Sequence, residues 1–322
     1  MSTLYSGGLG YRGLFAVYYD DAWQFIPCSG EGPFMRPTAI TPQVVHGSTD
    51  DSSAYQIQYA EGQVTYRGDV TFPFYSNATF WELLKTWGQT ERTAQKQVLF
   101  SPDGVLFYGY TDCFVSRLVI SGNSGSNNEI TVTLGLEATN RQTADGSAGT
   151  LTMAGGMSGV SSLSLNGIYA SAAISGQATA SLLNLAPVPY WKSVFTMSNF
   201  FGADKNIAVD WSVTVNNNTQ TTHVANNSKE PFVIKQGQAE VTGSTTLYDV
   251  NGVPEPTTRS GAIALSIYGG STYTLTMGNV FVEDYPYPMR GPNEKTTRSL
   301  TYRGFAGNYD GSAMTQAAVR FS

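Results

Sequence analysis

Charge is scarce in this chain of 322 residues: Asp, Glu, Lys and Arg together make up 13%, where globular proteins carry about 25%. Its surface must therefore be built from Ser, Thr, Asn, Gln and Gly. Cysteine and histidine are scarcer still, two of each. Cys28 and Cys113 cannot make a disulfide framework, and His46 and His223 sit alone in Gly/Ser/Thr/Asn-rich surroundings, leaving little for metal or acid–base chemistry. No run approaches the ~18 uninterrupted apolar residues of a membrane helix, so no membrane role is expected. Residues 1–8 have no basic region and no apolar core, so they do not read as a secretory signal. The expectation is a soluble chain made in a cytoplasm, with both thiols reduced. The 18 basic residues are outnumbered by 24 acidic ones, a net charge of −6. A protein that grips nucleic acid by neutralising phosphates would show the opposite sign.

Catalytic patterns are also missing. Neither G-x-S-x-G nor H-E-x-x-H occurs. The run Gly8-Leu9-Gly10-Tyr11-Arg12-Gly13 matches G-x-G-x-x-G, but no strand precedes it and Tyr18-Tyr19 after it favour a strand over a helix, so it is no dinucleotide site. Arg67-Gly68-Asp69 lies inside an alternating strand, not an adhesive loop. Glu82, Glu137, Glu283 and Asp284 are the carboxylates one would nominate for glycoside hydrolysis, yet Glu82 is better explained as a helix cap and Glu283 and Asp284 as edge-strand charges. No enzyme, cofactor or metal site is expected.

What is present is strand. Residues 14–19 and 23–26 are β-branched and aromatic runs either side of Asp20-Asp21-Ala22, a hairpin pattern. Residues 129–137 alternate with period two, the mark of a strand with one wet face. Asn216-Asn217-Asn218 forms a turn suited to positive φ between residues 211–215 and 219–224. Val282, Tyr285 and Tyr287 stand among Pro286, Pro288 and Pro292, an irregular edge strand at most. One helix stands out over residues 80–87: Thr79 and Glu82 form a capping box, Phe80, Leu83, Leu84 and Trp87 make one apolar stripe, and Gly88 is placed to end it. Two turns are unstable alone, so this stripe is a candidate domain-packing face.

Residues 146–191 contain no charged side chain. The stretch is a Gly/Ser/Ala-rich linker or, because Asn166-Gly167 lies between alternating residues Leu163, Leu165 and Ile168, a hairpin arm that needs a partner surface. Either side of it the chain repeats itself. Residues 62–72 resemble 237–247 at an offset of 175, 113–115 resemble 280–282 at 167, and 130–138 resemble 298–306 at 168. Three matches in order favour two copies of one β-rich unit. The second copy is not faithful, since residues 249–257, with Pro254 and Pro256, oppose a helix where the first copy has one.

A Gly-bearing strand, a short turn and helix, a central strand, an apolar strand such as residues 114–120, and an alternating strand ending in Ala138 or Ala306 give each half the order of the phage tail tube domain, and residues 279–288 resemble that family's final strand with edge prolines. The resemblance covers residues 10–140 and 187–322. It implies a mainly β chain of two tandem β-sandwich or curled-sheet domains, each with at most a short flanking helix: residues 1–143, a linker or arm at 144–186, and residues 187–322. It implies further that copies assemble into rings, trimers with pseudo-sixfold symmetry, whose inner strands form one barrel, and that rings stack into a tube conducting DNA. The partners implied are the chain itself and tape-measure, tip or baseplate and terminator proteins, with DNA as weakly interacting cargo. The location implied is the virion tail, after synthesis in the host cytoplasm. Leu163, Leu165, Asn166, Gly167 and Ile168, with Asn216, Asn217 and Asn218, are the candidate inter-subunit arms. A tail-tip or baseplate hub ring is the alternative within this class. A non-catalytic glycan-binding module, suggested by 19 Tyr and 5 Trp, is the alternative outside it.

Overall fold

The computed structural model describes residues 13–19, 22–30, 34–40, 60–90, 92, 94–101, 106–125, 128–145, 150–151, 163–164, 178–181, 186–200, 207–248, 258–284, 297–306 and 318–322. These are mainly β. The first half lays down β1 (Gly13–Tyr19), β2 (Ala22–Gly30), β3 (Phe34–Ile40), β4 (Ala60–Pro73), helix α1 (Ala78–Lys85), β5 (Lys96–Ser101), β6 (Leu106–Asn123), β7 (Ile130–Ala138) and β8 (Gln142–Asp145). Short strands follow: β9 (Thr150–Leu151), β10 (Leu163–Ser164) and β11 (Ala178–Ser181). The second half supplies β12 (Ser193–Ser198), β13 (Ala208–Asn216), β14 (Thr219–Thr222), β15 (Val233–Gln236), β16 (Glu240–Tyr248), β17 (Ser260–Tyr268), β18 (Thr272–Asp284), β19 (Thr297–Gly304) and β20 (Arg320–Phe321).

The first hairpin forms as its sequence predicts, β1 against β2 with Tyr19 opposite Ala22. Around it the antiparallel pairings close on themselves, β6 to β5, β1, β2, β4, β7 and back to β6. A closed path leaves no edge within that layer.

The two halves pair their strands in the same order. One runs β1-β5-β6-β7-β4-β3 and the other β12-β17-β18-β19-β16-β13, every step antiparallel. Registers correspond as well. Gly68 faces Leu136 and Gly243 faces Tyr302, while Phe114 faces Glu137 and Phe281 faces Arg303. Both halves carry a bulge at the matching point, between Val115 and Arg117 and between Val282 and Asp284. These registers set the offset of β7 to β19 at 166, correcting the 168 expected from sequence. A slip of two residues keeps every side chain on its face, so alternation alone cannot detect it.

Between the halves lies β13, which pairs with β16 along one edge and with β6 along the other, from Asp210 opposite Asn123 to Asn216 opposite Arg117. One sheet therefore runs through both. The core is shared too: in α1, Phe80, Leu83 and Leu84 are buried, as is Trp87 just beyond it, burial worth roughly 1.5–3 kcal/mol per large apolar side chain. Trp81, off the predicted stripe, is also buried, with its ring 5.3 Å from Tyr273 and 5.2 Å from Phe321 of the second half.

The helix ends differ from expectation. Asn77, not Thr79, is the N-cap: its Oδ1 accepts the Phe80 N–H at 3.0 Å, and Thr79 is already helical. Glu82, freed from capping, lies 3.2 Å from Lys85. Gly88 does not stop the chain, which continues through a π-helical turn over Thr86–Thr90; a Cβ there would sit 2.8 Å from the Phe321 ring, so close approach is what requires glycine. β7 also departs from a simple wet face, being buried on both sides from Leu134 to Ala138. Within the uncharged stretch, β10 pairs with β9 and β11 runs parallel to β2.

Among the described glycines of the second half, Gly243 has the closest neighbours, and any Cβ there would collide with the Ser212 carbonyl and the Tyr302 ring. Gly243→Ala should therefore lower unfolding free energy by about 1–3 kcal/mol, measured by chemical denaturation of the dispersed subunit. Tyr190 donates its hydroxyl to the Ala208 carbonyl at 2.6 Å, and burial, then the nearby Asp210, push its pKa up to about 12. A raised folded-state pKa stabilises fully below the unfolded value, ~10, and is lost as pH rises through the folded one. Stability should fall between pH 10 and 12, and Tyr190→Phe should make that fall shallower, read from denaturation midpoints across the range.

Candidate functional site

Among the described residues no three His, Cys, Asp or Glu side chains gather to hold a metal. Cys28 and Cys113 are free and fully buried, and burial raises both thiol pKa values, which keeps them protonated and unreactive. The His223 ring nitrogen lies 2.9 Å from the Val64 carbonyl, tying the end of β14 to β4. Glu137 lies 3.3 Å from Arg67 and accepts the Thr221 hydroxyl at 3.2 Å, and Glu283 lies 2.7 Å from Arg303. Trp23, Trp81, Trp87 and Trp211 are buried, so they offer sugars no stacking platform; Trp191 is exposed.

The distinctive feature is a face. Across β4-β7-β6-β13-β16-β19 the pleat sends Val132, Leu134, Leu118, Ile120, Val213, Val215 and Leu300 inward. The opposite face receives hydroxyls, and they bond from strand to strand. Thr71 meets Thr133 at 2.9 Å, Ser121 meets Thr131 at 3.0 Å, Ser212 meets Ser244 at 3.0 Å and Thr246 meets Ser299 at 3.2 Å. Cross-strand hydroxyl pairs of this kind contribute roughly 0.2–1 kcal/mol each. Ser121 faces Ser212 where β6 meets β13, so the band crosses from one half to the other without interruption.

Among the described residues, the guanidinium groups on this face are each tied down. Arg117 lies 2.9 Å from Asp69, Arg67 3.3 Å from Glu137, and Arg303 2.9 Å from Glu240 as well as 2.7 Å from Glu283. A further carboxylate, Asp210, accepts the Thr246 N–H at 3.0 Å. Half-exposed pairs like these add little to stability. Their effect is on the field: among the described residues of this face each guanidinium is paired and carboxylates are in excess, so an approaching phosphate meets hydroxyls rather than bare cations. Arg67-Gly68-Asp69 is thus a piece of this wall, with Gly68 in the β4–β7 ladder.

The arm candidates are placed as follows. Asn217 is fully buried; its N–H donates to the Ser116 carbonyl at 2.8 Å and its Nδ2 to the Val115 carbonyl at 2.7 Å. Asn218 takes the positive φ expected of the turn, 49°, and donates its Nδ2 to the Gln238 carbonyl at 2.8 Å. Asn216 lies in the ladder between Arg117 and Glu240. The turn therefore roots the β14–β15 ribbon on the β6 bulge, and Asn217 is an anchor inside its own chain. Leu163 pairs with Leu151. Leu165, Asn166, Gly167 and Ile168 lie outside the described residues, as do Gly8–Arg12 and His46, while Gly13 opens β1.

The model of a family described as phage tail tube protein matches residues 41–304. The chain belongs to that family. No individually curated protein matches it. Among solved structures, this chain is similar to a chain of the anti-feeding prophage (AFP) baseplate, with 14% identity over 45% of this chain and 97% of that one, TM-score 0.33. It is also similar to a chain of the sheath–tube complex, in extended state, of PVC, an extracellular contractile injection system, with 16% identity over 45% of this chain and 99% of that one, TM-score 0.31.

Two-residue periodicity of Ser and Thr, as in Thr242, Ser244 and Thr246, is the signal that could have revealed the hydroxyl face in advance. The locked arginines had none, because their partners come from other strands. Asp69→Asn with Glu137→Gln should free Arg117 and Arg67. The variant should then be retained on immobilised duplex DNA at salt concentrations that release the parent protein, ~0.1 M or above. Equal retention of the two would show that this pairing does not control the surface.

Proposed function

We propose that this family member is the structural subunit of a phage tail tube. Copies of it close into rings, the rings stack, and the hydroxyl face of β4-β7-β6-β13-β16-β19 lines the passage through which DNA moves. Each chain contributes two copies of one domain, residues 1–143 and 187–322, joined by residues 144–186. The observation that carries this reading is the β6–β13 ladder, because it joins two non-equivalent edges of the two halves, head to tail, into one sheet. Repeating that join between chains is the simplest way to complete a ring.

Size favours three chains. The continuous layer β3-β4-β7-β6-β13-β16-β19-β18 supplies eight strands per chain. At about 4.8 Å between strands and a tilt of about 40°, three chains enclose a backbone circle roughly 48 Å across. Two would leave about 32 Å, too little for a duplex once side chains project inward. Three chains would carry six such units, a trimer with pseudo-sixfold symmetry. The wall's excess of carboxylates suits a conduit, which must not hold its cargo by counterion release.

The role is non-enzymatic and located in the virion tail, after synthesis in the host cytoplasm. Its partners are further copies of the chain and the tape-measure, tip or baseplate and terminator proteins at the ends of the tube. The β14–β15 ribbon, rooted by Asn216, Asn217 and Asn218, and the segment around Leu163, Leu165, Asn166, Gly167 and Ile168 serve as contacts to the adjacent subunit or ring. Purified protein incubated at high concentration should show stacked annuli of uniform bore by negative-stain microscopy. Single rings that never stack would indicate a hub, and persistent monomers would contradict the proposal.

A further inference from the structure

The internal join predicts the external one. Along β6, pairing with β5 ends at Cys113, and further along the strand residues Arg117–Asn123 take β13 as neighbour. Along β18, the counterpart of β6, pairing with β17 ends at Phe281, the counterpart of Phe114. The shared bulge carries this equivalence on, so that Arg117 corresponds to Asp284. The counterpart of β13 is β3: β13 pairs with β16 as β3 pairs with β4. Among the described residues no strand pairs with the other edge of β3.

Registers fix which residues correspond. Thr214 faces Thr242 and Asn216 faces Glu240, while Phe34 faces Arg67 and Arg36 faces Thr65. With β4 and β16 offset by 175, Phe34 stands for Thr214 and Arg36 for Asn216. Since Asn216 faces Arg117 across the internal seam, Arg36 should face Asp284 across the external one. Resting on the ring reading above, we infer that β3 of one copy adds antiparallel to the end of β18 of the next, with Arg36 opposite Asp284.

Two observations beyond the repeat support a second copy of this chain as the occupant. The facing positions carry opposite charges, which favours this register and disfavours like-charge alternatives. In sequence, Pro33 and Pro37 flank Phe34-Met35-Arg36, and Pro286 comes two residues after Asp284. Inside the chain the Asn217 N–H continues the join by donating to Ser116; its counterpart, Pro37, has no N–H, so the ladder between chains ends at Arg36. Prolines at these positions remove ladder donors, which limits how far the pairing extends and disfavours addition of unrelated strands.

The test is a charge exchange with a cross-link, using the full chain. R36E and D284R should each reduce sedimentable assemblies by about tenfold or more, and the R36E/D284R double variant should restore them. Independently, an R36C/D284C variant should form disulfide-linked oligomers between chains on oxidation, because facing positions in antiparallel strands have Cα separations compatible with a disulfide. Cys28 and Cys113 are fully buried and do not compete. Assemblies that form normally in both single variants and show no cross-link would overturn this seam while leaving the ring reading standing. Failure of the unsubstituted chain to assemble would overturn both.

Discussion

The ladder between β6 and β13 is the constraint on which the rest depends. It is an antiparallel pairing of seven residues on each strand, from Asp210 opposite Asn123 to Asn216 opposite Arg117. It takes the edge of one strand system and finishes it with the edge of another that has the same pairing order. Unpaired edges are costly when buried and hazardous when exposed. The fold meets that problem by continuation: the closed path of the first half hides most of its edges, and β13 covers the part of β6 that the path leaves open.

From that continuation come the properties of the polar face. Because β6 and β13 are in register, Ser121 and Ser212 fall on the same side and the hydroxyl band crosses the join. Because β7 sits between β4 and β6, Asp69 can reach Arg117 and Glu137 can reach Arg67. Arg303 is held in the same manner by Glu240 and Glu283 from the strands on either side of β19. The scarcity of charge noted in the composition therefore has a local expression, a wall of Ser and Thr whose few guanidinium groups are neutralised by neighbours. The shared core holds this wall in shape, with Trp81 of α1 packed on Tyr273 and Phe321.

Much of this was legible in the sequence, and the reasons for success and failure are physical. The β1–β2 hairpin, the apolar stripe of α1 and the strand order shared by the two halves were readable because each depends on neighbours in sequence or on period-two alternation. The capping role of Asn77 was hidden by Thr79-x-x-Glu82, an equally good local pattern; the choice between them is made by where the chain leaves Tyr75. The two-residue error in the β7–β19 offset arose because alternation repeats every two residues. Asn217 could not be told from Asn216 and Asn218, since its burial depends on the β6 bulge, a feature distant in sequence. Gly88 looked like a helix terminator, but its requirement comes from Phe321, far along the chain. The hydroxyl face lay in view as alternating Ser and Thr, while its ion pairs, set by strand order, did not.

Hydrogen–deuterium exchange on the dispersed, unassembled chain tests the central claim most directly. If the two halves are one sheet, amides in residues 117–123 and 210–216 will exchange slowly, at rates matching those of β7 and β16, and will be released together in one cooperative opening. Fast exchange across that ladder in the single chain, with the halves opening independently, would contradict the account.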